Sequence, residues 1–293
     1  MRIGIHVRGF DAGKPVAAAR AAERGAEAVQ VFASNPRQWR VPAVDPSADE
    51  LFRAQMTEAE LGPLFLHAPY LVNLASPTEA TRSASCRTVE WTMRRAAALQ
   101  SEGVVVHAGH CVGRDRAEAL EGSARLLRAL LDGAPAGPRL LLELTSGAKG
   151  AVASHLEQAA ELIDACGGHE MLGICLDTCH LHAAGYDLTS SEGIDCLMAK
   201  VQDRVGVDRV KLVHTNDSRD ARGSRRDRHW HLGRGEIGCK GFQALVAHPA
   251  LAGIPLICET PGELEEDRAN VALLKGLRDH RQTSFVRPAP QSC

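Results

Sequence analysis

Six short apolar strings in this chain each end in a side chain able to bind a metal ion or move a proton. "LFLH" closes on His67, "VVVH" on His107, "LLLE" on Glu143, "ICLD" on Asp177, "KLVH" on His214 and "LICE" on Glu259. One histidine in such a place reads most simply as a hydrogen-bonded structural residue, and one Asp or Glu as a cap for a following helix. Six at equivalent places call for a shared cause. Three carboxylates gathered together would repel and raise one another's pKa unless a cation lay between them. A mixed imidazole and carboxylate set suits Zn2+ or Mn2+ better than Mg2+ or Ca2+.

Further candidates stand outside these strings. "DTCHLHAAGYD" places His180 three residues after Asp177. The segment "DSRDARGSRRDRHWHLGRGEIG", residues 217–238, gathers six arginines, three aspartates and two histidines in a chain of formal net charge −2. Asp227 and His229 are two apart, so an extended backbone would point both the same way. Such a pair can chelate one metal, with His180 as a third ligand and water completing the shell. Glycines 223, 233, 235 and 238 allow the sharp turns this needs. Composition alone leaves a second reading open, an ordinary solvated insertion.

The elements that must position these side chains follow from the recurrence of the strings. Strands are expected at 2–7, 28–33, 63–68, 104–109, 140–145, 173–178, 210–215 and 255–260, with helical stretches between them. Most are continuous and aliphatic, as parallel strands buried on both faces must be. Eight strand–helix alternations predict an α/β fold, a (β/α)8 TIM barrel, whose strands converge at their C-terminal ends on one face. An open doubly wound sheet is the alternative, but the first strand leads into "RGFDAGKP" rather than a G-x-G-x-x-G turn. A single domain over residues 1–280 is expected, with a disordered tail at 281–293.

At 293 residues, 44% apolar and 24% charged, the composition is that of a soluble globular protein. The start "MRIGIHVRGF" lacks an apolar signal region, and no apolar run reaches the ~20 residues needed to span a bilayer. Nine scattered cysteines, some inside apolar runs such as Cys175 and Cys258, suggest reduced thiols and a cytoplasmic location. Cys175 and Cys179 have no second pair to complete a structural zinc site. No membrane partner is expected, and the near-neutral charge argues mildly against bulk nucleic-acid affinity.

Taken together, "RQW" (37–39), "HAPYLVNLASP" (67–77), "CLDTCHLHAAGYD" (175–187), "HTNDS" (214–218), "GSRRDRHWHLGRGEIG" (223–238) and "PLICET" (255–260) resemble the endonuclease IV family. The resemblance runs over roughly residues 1–280. It implies a barrel holding three Zn2+ ions, with Mn2+ accommodated at one or more sites. The activity implied is cleavage of double-stranded DNA on the 5′ side of abasic sites, in base excision repair, leaving 3′-hydroxyl and 5′-deoxyribose phosphate ends. A monomer in the bacterial cytosol or nucleoid is expected. Carried over residue by residue, the first ion takes His67, His107 and Glu143. The second shares Glu143 and adds Asp177, His214 and Glu259, and the third takes His180, Asp227 and His229. Glu143 and Glu259 are the catalytic candidates, one bridging the first two ions, the other aligning the attacking water.

The same resemblance assigns DNA contacts to Arg37, Tyr70 and Leu71 as wedge residues and to Arg228 as a phosphate partner, with Arg222, Arg225, Arg226 and Arg234 as further candidates. Three dications would supply locally the positive charge that the chain as a whole lacks. Two departures stand out. "AGH" follows His107 where many relatives carry Pro-Gly-Ser, and "LTSG" follows Glu143 where Asn-Thr-Ala-Gly is usual. Leu144 would thus remove an amide able to orient a ligand or touch phosphate. The rival reading is a divalent-metal sugar isomerase or epimerase of the xylose isomerase-like type. It would use Glu143, Asp177, His214 and Glu259 but has no need of His67, His107, His180, Asp227 and His229.

Overall fold

The computed structural model describes residues 1–284, with side chains to residue 280. Eight strands close into a barrel: β1 (Ile3–Arg8), β2 (Ala28–Phe32), β3 (Leu64–His67), β4 (Gly103–His107), β5 (Arg139–Glu143), β6 (Leu172–Asp177), β7 (Val210–His214) and β8 (Leu256–Cys258). Each pairs in parallel with its sequence neighbour, and β1 pairs with both β2 and β8. That closure rules out the open sheet. Outside run α1 (Ala17–Glu23), α2 (Pro46–Glu58), α3 (Glu79–Ala98), α4 (Arg116–Asp132), α5 (Leu156–Ala165), α6 (Thr178–Ala184), α7 (Ser191–Arg204), α8 (Gly238–Ala247) and α9 (Leu264–Ser284). The expected tail lies outside the described residues from 285 onward; up to Ser284 the chain is helical.

Strand periodicity builds the interior in steps of two. Ala28, Phe65, Val105, Leu141, Cys175, Leu212 and Ile257 point inward and form one closed apolar cluster. The next inward position in each strand is two residues on: Gln30, His67, His107, Glu143, Asp177, His214 and Glu259. A dry plug therefore lies directly beneath a polar ring. Each large aliphatic or aromatic plug side chain is worth roughly 1.5–3 kcal/mol of burial. In β1 the plug position is Gly4, where a Cβ would lie 2.3 Å from the Ala28 carbonyl oxygen and 2.5 Å from Ile257 Cδ1. Its ring position is His6.

The intervening residues, Leu66, Val104, Val106, Leu140, Leu142, Ile174, Leu176 and Val213 among them, face outward and pack with the helices in a second, larger core. Sequence periodicity did not reveal α6, a single short helix directly after β6. Its cap is itself a ring residue: Asp177 Oδ1 accepts the His180 N–H at 2.8 Å. Two residues carry the chain from a buried strand into the turn that presents His180.

Candidate metal centre

The polar ring, α6 and the segment between β7 and α8 bring nine side chains into three groups. His67, His107 and Glu143 form one, Glu143, Asp177, His214 and Glu259 another, and His180, Asp227 and His229 the last. Within each group every residue offers a donor atom within 4.8 Å of the others. Glu143, fully buried, joins the first two groups. Its Oε2 lies 3.3 Å from His67 Nε2 and 3.1 Å from His107 Nε2, while its Oε1 lies 3.0 Å from His214 Nδ1. Glu259 Oε2 meets His214 Nδ1 at 3.1 Å. Asp227 reaches His180 Nε2 at 3.1 Å and His229 Nε2 at 3.3 Å.

Hydrogen bonds on the far sides of the imidazoles set which nitrogen is left free. A carbonyl oxygen only accepts, so the ring nitrogen facing it must carry the proton. His67 Nδ1–H donates to the Ala68 carbonyl at 2.6 Å, His180 Nδ1–H to Leu144 at 2.9 Å and His229 Nδ1–H to Glu259 at 3.2 Å. Their Nε2 lone pairs then face the cavity. His214 is turned the other way: Nε2–H donates to Gln30 Oε1 at 2.9 Å, which leaves Nδ1 toward Glu143 and Glu259. His180 Nε2 and His229 Nε2 are buried without a hydrogen bond despite their closeness to Asp227. Orphaned lone pairs converging with carboxylates fit a metal ion, and imidazoles anchored through their second nitrogen are the usual arrangement around one.

The electrostatics point the same way. Burial disfavours the charge on Glu143 and Glu259, yet His214 and His107 beside the first, and His214 and His6 beside the second, hold both carboxyls well below their usual range. At Asp227 burial is outweighed chiefly by His180, and the carboxyl falls to about 2. Burial also opposes protonation of His180 and His214. The Asp177 and Asp227 carboxylates nonetheless hold His180 well above the usual imidazole value, and Glu259 and Glu143 do the same for His214. At His67 burial prevails and the imidazole is pushed down. The cluster thus draws positive charge to its centre, which a dication would supply in exchange for protons. Cys175 and Cys179 also come close. Burial pushes both thiols up to about 12, so they are poor ligands beside the carboxylates.

His67, Tyr70, His107, Glu143, His180, Asp227, His229 and Glu259 line a cavity of about 310 Å³. Tyr70 stands at its rim, 58% exposed and edge-on to Phe32 at 5.1 Å. Tyr70 also borders a neighbouring cavity of about 770 Å³ together with His6, Phe32 and Arg37. Arg37 is exposed and Leu71 half-buried. Among the arginines of the loop, Arg228 and Arg226 both pair with Asp220, and Arg222 pairs with Asp187 at 3.2 Å. Arg225 and Arg234 are exposed.

Three residues not singled out from sequence complete the site. His6 Nδ1 lies 2.9 Å from Glu259 Oε1, and its Nε2 has no hydrogen-bond partner. Gln30 donates to the same Glu259 oxygen at 2.6 Å. Asn216 donates to Asp177 Oδ2 at 2.7 Å and accepts the Glu259 N–H at 2.8 Å, tying two residues of the second group together. Counting inward positions two by two would have found His6 and Gln30 inside "RIGIHV" and "AVQVFA". Leu144 orients the His180 ring through its carbonyl, while its side chain is fully buried in the outer core.

A profile of the xylose isomerase-like TIM barrel family matches residues 18–280. A probable endonuclease 4 of Streptomyces avermitilis is 44% identical over 280 residues, covering 94% of this chain and 90% of the relative. Endonuclease IV of Thermus thermophilus, known from a crystal structure, superposes with a TM-score of 0.84 at 35% identity, over 96% of this chain and all of that one. A 3-keto-D-glucoside 4-epimerase from E. coli superposes at 0.69 with 18% identity, over 94% and 99% of the two chains, a likeness of fold alone. Among the described residues no helix is long and apolar enough to cross a membrane.

Proposed function

The chain belongs to the endonuclease IV family within the xylose isomerase-like TIM barrels, and on that footing we propose that it is a zinc-dependent hydrolase that cuts double-stranded DNA on the 5′ side of abasic sites. The products are a 3′-hydroxyl and a 5′-deoxyribose phosphate, and the setting is base excision repair in the bacterial cytosol by a monomeric enzyme. The observation that carries this reading is the convergence of nine imidazole and carboxylate side chains, with the free ring nitrogens of His67, His180, His214 and His229 turned inward. His67, His107 and Glu143 would hold one zinc, Glu143, Asp177, His214 and Glu259 a second, and His180, Asp227 and His229 a third. Bound zinc supplies a water acidic near neutral pH and positive charge for the phosphate and the departing oxygen.

The chain's own residues do the rest. Glu143, locked among imidazoles and shut off from solvent, sets the spacing of the first two groups. Glu259, braced by Gln30, His6 and Asn216, is fixed in the direction in which it aligns the nucleophile. Tyr70, Leu71 and Arg37 at the rim enter the duplex beside the lesion, where the missing base makes bending and extrusion cheapest. Arg228, now paired with Asp220, exchanges that partner for a DNA phosphate, with Arg222, Arg225, Arg226 and Arg234 around it.

The test is a labelled duplex with one abasic analogue. A nick on its 5′ side, close to three zinc ions per chain, and loss of nicking in Glu143→Gln with an unchanged far-UV circular dichroism spectrum are expected. An uncut duplex together with epimerisation of a keto-sugar would establish the sugar epimerase instead.

A further inference from the structure

Asp217 stands at the head of the segment that carries Asp227 and His229, and it touches neither. Its carboxylate is fully buried and faces no lysine or arginine within ion-pair distance among the described residues. It is held by backbone amides. Oδ1 accepts from Ser218 N at 2.8 Å and Ile237 N at 2.9 Å. Oδ2 accepts from Gly233 N at 2.9 Å, Gly235 N at 3.0 Å and Gly238 N at 3.3 Å. The "GRGEIG" turn is wrapped around this one anion, and charge-assisted bonds of this kind are about twice as strong as neutral ones. The glycines make the wrap fit. Gly233 and Gly238 take positive φ of 76° and 71°, and a Cβ on Gly235 would lie 2.5 Å from Asp217 Oδ1 and 2.3 Å from the Ser218 carbonyl oxygen.

The same two residues, Asp217 and Ser218, form an antiparallel ribbon with Trp230 and His229, Asp217 opposite Trp230 and Ser218 opposite His229. The excursion 219–228 therefore leaves from and returns to a base that the Asp217 carboxylate fastens. We infer that Asp217 is the positioning residue of the His180–Asp227–His229 group, setting through the main chain where two ligands of the loop meet the third from α6. This rests on the reading of that group as a metal site. Asp217 governs one ion and leaves the two that share Glu143 alone, because those are held by the barrel strands.

Zinc stoichiometry and chelator competition on the full chain test it, with wild type, Asp217→Asn, Gly235→Ala and His180→Ala compared. Asp217→Asn turns an NH2 group toward amide donors, and Gly235→Ala crowds the same nest without changing charge. Both are expected to weaken one of the three ions roughly 10–100-fold, the range for residues that orient ligands, and to leave the other two unchanged. In the metal-free chain, amide exchange over 229–238 should quicken in both variants while the barrel strands stay protected. Unchanged zinc binding in both variants, or equal weakening of all three ions, overturns the inference. A wild-type chain with no ion sensitive to His180→Ala overturns the metal reading itself and the inference with it.

Discussion

Gln30→Met tests how the centre is held. Gln30 is a fully buried amide in β2 whose oxygen accepts from His214 and whose nitrogen donates to Glu259. Methionine has nearly the same length and no hydrogen-bonding amide, so the change removes both bonds, and the contact of the amide nitrogen with His6 Nδ1 at 3.0 Å, with little change of volume. The His214 N–H is then left without its acceptor inside the barrel, at a cost of roughly 1–3 kcal/mol. The ring can escape that cost by rotating or changing tautomer, and either move takes Nδ1 away from Glu143 and Glu259. The cost is therefore expected in metal affinity: at about 1.4 kcal/mol per decade it amounts to roughly 5–150-fold weaker zinc binding. Competition against a chromophoric chelator, with circular dichroism confirming the fold, measures it directly. Zinc affinity within twofold of wild type in a folded Gln30→Met chain would refute the argument that the second ring nitrogen governs the first.

Two other expectations follow from parts of the molecule away from the ligands. Tyr70→Ala removes the exposed ring at the rim and should weaken binding of an abasic duplex by roughly 1–3 kcal/mol, the worth of one stacked aromatic. Fluorescence anisotropy reads this, and zinc content should not change; equal affinity would make Tyr70 a packing residue only. At the opposite end, Glu27 accepts from Ile3 N and pairs with Arg278 at 2.6 Å and Lys275 at 3.3 Å, tying β1 and α9 together. Burial opposes its charge, but Arg278 first, then Ile3 N–H and Lys275, lower the carboxyl from 4.5 to about 2. A lowered folded-state value means the contribution is complete above the unfolded pKa and is lost as pH falls from 4.5 toward 2. Allowing for solvent screening it is about 1–2 kcal/mol. Glu27→Gln should flatten the acid limb of the urea midpoint against pH, and an unchanged limb would show that the pair contributes nothing.

The strand ends were legible because a parallel barrel strand is apolar on both faces, so one polar residue at its end is conspicuous. His67, His107, Glu143, Asp177, His214 and Glu259 all break such a run at its last position or just beyond. His6 and Gln30 escaped notice because β1 and β2 continue for two residues past them, to Arg8 and Phe32. A polar residue inside a strand looks like ordinary alternation until the plug beneath it is known. Asp227 and His229 were legible as a pair by spacing, but the ribbon beside them that holds His229 starts at Asp217, whose carboxylate gathers amides from residues up to 21 apart. The helix α6 was hidden for a related reason. At seven residues it is too short for an apolar period, and its cap, Asp177, had already been read as the end of a strand.

Three of the imidazoles hang from carbonyl oxygens of Ala68, Leu144 and Glu259. A peptide group offers the same oxygen whatever side chain it bears. Positions 68 and 144 are thus free to drift under selection for packing alone, and the rings they steer keep their bearing as the surrounding sequence diverges. Leu144 shows the separation: its side chain packs in the outer core while its carbonyl holds His180.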